Sequence, residues 1–252
     1  MTEPSMEERG LSFGREAASY DANRPSYPRE AVAWVLEAAT RKVRDVADVG
    51  AGTGALTSLL VSLDFDVTAF DADGQMLDRL RLSVPEVTAI VARAEQLALD
   101  DASVDAVMVA QAFHWFDPVA TSKEFSRVLR PGGVVGLFWN LRDDRALWWA
   151  ALRPIINGPD WERSDGDEAL HELAQVFSNV ERHEFPHLTP MTHERIVNLV
   201  GTFSFVRLRD DANDVLEQVR SVLATHPDTK DRDVIDVPYV TAAYRVRFPG
   251  AD

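Results

Sequence analysis

The sequence predicts an α/β chain, a doubly wound three-layer α/β/α sandwich with a mostly parallel sheet. Three observations carry that expectation. Between Asp45 and Asn140, short β-branched runs alternate with longer helical patterns, as in successive βα units. Two of the runs, VDAVMVA (104–110) and VVGLFWN (134–140), are nearly continuous in apolar residues, as strands covered by helices on both faces must be. The first run ends in a glycine-rich turn that opens directly into a helical pattern.

Taken in order, DVADVG (45–50) reads as the first strand, LTSLLVSL (56–63) as a helix and DVTAFD (66–71) as the second strand. QMLDRLRLSV (75–84) is the next helix, and VTAIVA (87–92) and VDAVMVA (104–110) are the third and fourth strands. PVATSKEFSRVL (118–129) is a helix that stops before the Arg130-Pro131-Gly132-Gly133 turn, and VVGLFWN is the fifth strand. The pattern then changes. RALWWAALRPII (145–156) and DEALHELAQVFS (167–178) read as helices, and the alternation in VERHEFPHL (180–188) reads as a strand. Helical patterns return at HERIVNLVGTF (193–203) and NDVLEQVRSVLATH (213–226), before a last strand at VPYVTAAYRVRF (237–248). The two late strands are expected to join the sheet antiparallel, with the helices as a lid. This gives an irregular leader over residues 1–30, a ligand-binding core over 31–144, and a lid with the last two strands over 145–252, all in one domain.

The composition excludes several classes. With 26 Lys+Arg against 41 Asp+Glu the net charge is −15, which repels phosphate backbones and anionic lipid, and no basic run makes a local exception. Nucleic acid is therefore not an expected partner. The chain has no cysteine, so disulfides, thiolate metal sites and cysteine nucleophiles are excluded, and a reducing cytoplasm is compatible. Its polar, acidic start and the lack of any run of 18 apolar residues predict neither a cleavable signal nor a membrane span.

The chemistry is concentrated at Asp48-Val49-Gly50-Ala51-Gly52-Thr53-Gly54. Glycine permits a tight turn and close ligand approach, and the following helix offers unpaired N–H groups. Asp71 ends the second strand, where a carboxylate can accept both ribose hydroxyls of an adenosyl group. Gly50, Gly52 and Ala55 also satisfy the dinucleotide fingerprint, so a nicotinamide-dependent oxidoreductase is the competing reading. Asp48 argues against it, since a carboxylate inside the turn suits a ligand ammonium and repels a pyrophosphate.

These residues, with AFDADGQML (69–77), ARAEQLALDDASVDAVMVAQAFHWF (92–116) and RVLRPGGVVGLFWN (127–140), resemble the class I S-adenosylmethionine-dependent methyltransferases, a Rossmann-like fold. FGREAASYDANRPSYP (13–28) with AFHWF (112–116) further resembles the small-molecule group that includes trans-aconitate methyltransferase-like proteins. The resemblance implies S-adenosylmethionine as cofactor and no metal. By position, it implies that Gly50, Gly52 and Gly54 line the methionine moiety, Asp48 lies near its ammonium and Asp71 holds the ribose. Ala94 and Glu95 fall where adenine is recognised, although Arg93 stands where an aspartate is common. Gln111 falls next to the sulfonium. Tyr20 and Arg24 match leader positions that fold over the cofactor. A third reading, a non-catalytic S-adenosylmethionine-binding protein, shares all of these residues.

Other constellations compete for attention. His183-Glu184-Phe185-Pro186-His187 has the letters of a zinc-peptidase motif, but that motif needs a helix, which Pro186 would break. In a strand, the two histidines would stand about 13 Å apart, too far to share one ion. His114 follows the fourth strand and can act as a base or position an acceptor, with Trp115 and Trp148 as further pocket candidates. Trp148, Trp149, Phe203 and Phe205 equally suit a core, and Arg142, Arg207 and Arg209 are the basic groups available to an acidic acceptor.

Overall fold

A computed structural model describes residues 25–143, 145–156, 177 and 179–247. Tyr20 and Arg24, the Phe205 side chain and most of the helix expected at 167–178 lie outside the described residues. Five strands, β1 (Asp45–Val49), β2 (Asp66–Asp71), β3 (Thr88–Val91), β4 (Val104–Ala110) and β5 (Leu129–Arg142), pair in parallel. The late strands β6 (Glu181–Thr192) and β7 (Val234–Arg247) complete a seven-stranded sheet of order β3-β2-β1-β4-β5-β7-β6. β7 runs antiparallel to both of its neighbours, so the reversal rests on β7 alone and β6 runs with the parallel set.

Strand order steps outward from β1 to β3 and then restarts on the other side of β1 at β4. That reversal splays the connections apart at the C-terminal ends of β1 and β4, and leaves a crevice there. Alternate side chains send the strands into two cores. One face packs Val46, Ala69, Met108 and Phe138 against α1 (Arg29–Leu36), α2 (Ala55–Val61) and α3 (Gly74–Ser83). The other packs Val49, Val107 and Leu137 against Phe113 and against Phe125 and Val128 of α4 (Pro118–Val128). Helix α4 begins with Asp117, whose carboxylate accepts from the Val119 and Ala120 N–H groups, followed by a proline at the first helical position.

Two boundaries differ from the sequence expectation. Arg130 to Gly133 form an irregularity inside β5, where the register jumps between Val104↔Leu129 and Ala106↔Val134, and do not form a turn before it. The late strands are also longer than their alternation suggests. β5 ends on the pair Arg142↔Tyr239, while β6 and β7 continue from Leu188↔Pro238 to Thr192↔Val234. The result is a two-stranded ribbon beyond the crevice end of the sheet. Helices α5 (Leu147–Ile156), α6 (His193–Gly201), α7 (Ser204–Arg207) and α8 (Ala212–Thr225) accompany it, and they share a third core with Met191, Ile235 and Val237 of the ribbon. β6 is an outer edge of the sheet and carries Pro186 and Pro190. Proline in an unbroken ladder turns its nitrogen away from the partner strand, and these two, four residues apart, turn it to the same side.

Candidate active site

The turn after β1 is tied to β2 by the Phe70 carbonyl, which accepts from the N–H groups of Gly50 (2.8 Å) and Ala51 (2.9 Å). Its glycines answer to different needs. At Gly50, with φ +70°, a Cβ would stand 2.5 Å from the Ala112 Cβ, so glycine lets the turn close on the segment after β4. At Gly52, with φ +56°, a Cβ would meet nothing within 4 Å, so this glycine presents bare backbone to open space. Gly54 caps the start of α2 and seats on Leu80. Of the three positions expected to line a ligand, Gly52 has the open face, while Gly50 and Gly54 also meet close packing demands.

The Gly52 N–H donates to Asp71 Oδ2 (2.8 Å), and Asp71 Oδ1 accepts from the Asp73 N–H (2.8 Å). Asp73 in turn caps α3 by accepting from the Gln75 N–H. The Asp71 carboxylate is thus fixed by backbone donors, with lone pairs left for two hydroxyls. Burial raises its pKa, against the opposing pull of the Asp73 and Gly52 N–H groups.

Asp48 lies beneath the turn with 0% exposure. Its Oδ2 accepts from the Thr57 hydroxyl (2.5 Å), whereas Oδ1 is buried with no hydrogen-bond partner. Burial pushes its pKa up to about 7, the Thr57 hydrogen bond resists, and the nearby Asp71 charge adds to the rise. A buried oxygen left unpaired is costly, and a cationic donor is the group that would relieve it.

Past β4 the backbone bends sharply at Gln111, φ +54°, whose N–H donates to the Phe138 carbonyl and whose Nε2 donates to the Asn140 carbonyl (3.1 Å). The bend turns Ala112 and Phe116 against Gly50 and sets Phe113, His114 and Trp115 in a single 3-10 turn. His114 is half-buried with its ring 4.6 Å from that of Trp115, and makes no hydrogen bond among the described residues. Burial lowers its pKa to about 4, so the imidazole is neutral at pH 7.

Other expected residues are placed less directly. Ala94 is buried in the core beneath β3 and β4. Glu95 Oε1 accepts from the Asp117 N–H (2.9 Å) and Oε2 faces the Arg93 guanidinium (3.5 Å), so this side chain braces the loop before α4. Trp148, 4% exposed, packs edge-on against Trp149 in the third core. Arg209 forks onto Asp211 and Arg142 lies 4.7 Å over the Phe203 ring, so both already serve internal contacts. His183 and His187 lie in strand β6, as expected, one against Trp34 and the other stacked on Tyr239.

Two participants escaped the sequence reading. Thr57, the residue that donates to Asp48 among the described residues, is a polar residue on the buried face of α2, a signal visible in LTSLLV. Asn140, at the mouth of the crevice, donates from Nδ2 to the Ser26 carbonyl (3.1 Å) and accepts at Oδ1 from the Thr241 hydroxyl (2.5 Å). It therefore joins β5, β7 and the segment entering α1, a convergence no local pattern reveals.

An unpartnered acidic oxygen, a bare glycine surface and a backbone-held second carboxylate suit a ligand with an ammonium and a ribose. A family model described as methyltransferase domain matches residues 47–137. An uncharacterised methyltransferase of Mycobacterium tuberculosis is 42% identical over 250 residues, covering 96% of this chain and 97% of the relative. The chain belongs to the class I S-adenosylmethionine-dependent methyltransferases. A malonyl-[acyl-carrier protein] O-methyltransferase of Enterobacter lignolyticus is 30% identical over 160 residues, or 63% of this chain and 64% of that protein. Among solved structures, a proposed type II methyltransferase from Anaeromyxobacter dehalogenans aligns with TM-score 0.70 and 29% identity over 90% of this chain and 99% of that one. For this methyltransferase, the crevice at the β1–β4 switch point is the place where cofactor and acceptor would meet.

Proposed function

We propose that this methyltransferase carries a methyl group from S-adenosylmethionine to a nucleophile on a small metabolite by one direct displacement, with a small carboxylic acid as acceptor. The observation that carries the reading is the unpartnered Asp48 Oδ1, with the open face of Gly52 four residues further along the same turn. Asp48 would receive the cofactor's ammonium, Asp71 its ribose hydroxyls, and the 93–96 turn with Ala94 and Glu95 its adenine. Gln111 would lie by the reacting centre, with Tyr20 and Arg24 of the leader closing over it. The cofactor supplies an activated methyl on a sulfonium. The protein's part is then to hold the acceptor in line and exclude water.

The aromatic residues after β4 support this acceptor class. His114, held neutral by burial and set between Phe113 and Trp115, is a weak base that suits positioning better than proton removal. A carboxylate arrives already ionised and needs no base. The malonyl relative, by its name an O-methyltransferase, supports oxygen as the nucleophile. The ribbon and its helices (145–252) would form the lid over the 31–144 core. No metal, nucleic acid or membrane enters the scheme, and the cytoplasm is the expected compartment.

Calorimetric titration with S-adenosylmethionine, S-adenosylhomocysteine and NAD tests the cofactor. The two adenosyl ligands should bind in the micromolar range and NAD should not. Incubation with methyl-labelled cofactor and a panel of small carboxylic acids should then give base-labile methyl esters. Label in a base-stable product would replace the carboxylate by an amine, phenol or carbon acceptor. Tight cofactor binding with no transfer to any acceptor would favour the non-catalytic reading.

A further inference from the structure

Asp48 lies at the base of the crevice in a setting with no compensating positive charge. The helix α2 contributes the Thr57 hydroxyl and, more weakly, the Thr57 backbone N–H, and the charge that faces Asp48 from β2 is another carboxylate, Asp71. Asp71 is backed in turn by Asp73 and by two backbone N–H groups. Among the described residues no Lys, Arg or His pairs with Asp48, and its Oδ1 has no hydrogen-bond partner. A fully buried carboxylate whose hydrogen bonds come from one threonine, with one oxygen unpaired and a second acid nearby, is less costly as the neutral acid.

Resting on the cofactor reading above, we propose that Asp48 is the charge-reading residue of the crevice. In mildly acidic solution it is mostly the neutral acid while the crevice is empty, and it gives a proton to solvent when the cofactor's ammonium arrives beside Oδ1. The balance is simple. The O–H bond of the carboxylic acid breaks, the proton leaves to buffer, the ammonium keeps all its protons, and the new carboxylate pairs with it. Selectivity follows from the same step. A ligand that brings a cation to Oδ1 gains an ion pair, whereas an adenosine compound without the amine, such as methylthioadenosine, leaves the acid neutral and releases nothing.

The test is calorimetry at pH 6.2 in buffers of different ionisation enthalpy, using S-adenosylmethionine and methylthioadenosine as probes. At that pH a ligand amine stays protonated. With a carboxyl that titrates near 7, close to one proton should be released per S-adenosylmethionine bound. Methylthioadenosine should release close to none. In Asp48→Asn, which keeps the shape and a contact to Thr57, release with S-adenosylmethionine should fall to near zero and the affinity should drop at least tenfold. An infrared difference spectrum of the wild-type protein reports the same event independently, as loss of a protonated-carboxyl band on binding. Binding of S-adenosylmethionine without proton release, or equal release by Asp48→Asn, overturns the proposal and leaves the methyltransferase reading intact. No binding of S-adenosylmethionine at all would instead count against the cofactor reading itself.

Discussion

Two aspartates at opposite ends of the same sheet, Asp48 and Asp105, are both almost completely buried, at 0% and 2% exposure, and live in opposite electrostatic worlds. Asp105, at the start of β4, accepts from the Arg44 and Asp45 N–H groups at 2.9 and 3.0 Å and pairs with Arg41 and Arg130 at 2.7 and 3.0 Å. Burial alone would raise its pKa, but the backbone donors and Arg130 outweigh it and hold the carboxyl below the usual range. Asp48 has one hydroxyl and an orphaned oxygen, and its pKa moves the other way. The N-terminal end of the sheet is electrostatically finished, and the C-terminal end is left incomplete. On the proposed reading, the cofactor's ammonium would complete it.

Breaking the finished end should have the larger effect. Asp105→Ala strands two backbone N–H groups and unpairs Arg130, and removing one partner of such a buried set costs about 3–5 kcal/mol. Urea unfolding would read it, and a loss below about 1 kcal/mol would erase the contrast between the two ends. At the unfinished end, the sign depends on pH. The folded-state pKa of Asp48 lies above its unfolded value, so its contribution is full below about pH 4 and is lost as pH rises through about 7. Asp48→Asn should therefore gain about 3 kcal/mol on the ligand-free wild type between pH 5 and pH 8, as the linkage relation integrates over that window. A constant difference across that range would show that Asp48 is ionised in the empty crevice.

Gly52→Ala sharpens the comparison from the backbone side. The positive φ costs an alanine about 1–2 kcal/mol of stability, and the added methyl enters open space. Cofactor affinity should fall further than stability does, and an affinity change no larger than the thermal shift explains would move the ligand away from this turn. The smallest effect is expected at His114. Because burial holds it neutral, with a pKa of about 4, His114→Asn should lower kcat by no more than tenfold, under about 1.4 kcal/mol. The profile of kcat between pH 6 and pH 8 should be unchanged in shape. A larger drop, with loss of a titrating limb, would make it a base.

How much of this is legible in the letters depends on whether the cause is local. The turn from Asp48 to Gly54 is readable because positive φ and close approach both select glycine, and its strand, helix and Asp71 fall at fixed spacing. The strands of the parallel sheet are readable because burial on both faces leaves apolar runs. The uses of Glu95 and Asn140 are not readable, since their partners lie 22 and more than 100 residues away along the chain. The irregularity at Arg130 to Gly133 reads as a turn because the letters do not reveal that β4 pairs with β5 on both sides of it, at Leu129 and again from Val134.

The two prolines of β6 have a consequence for the molecule in company. A sheet ends where its last strand offers no continuous row of donors, and β6 lacks one at both Pro186 and Pro190 along its outward edge. A second chain approaching that edge finds the row interrupted twice within five residues. Pairing of that edge with a second β6 would therefore lack the ladder hydrogen bonds at both positions, which disfavours growth of the sheet on that side.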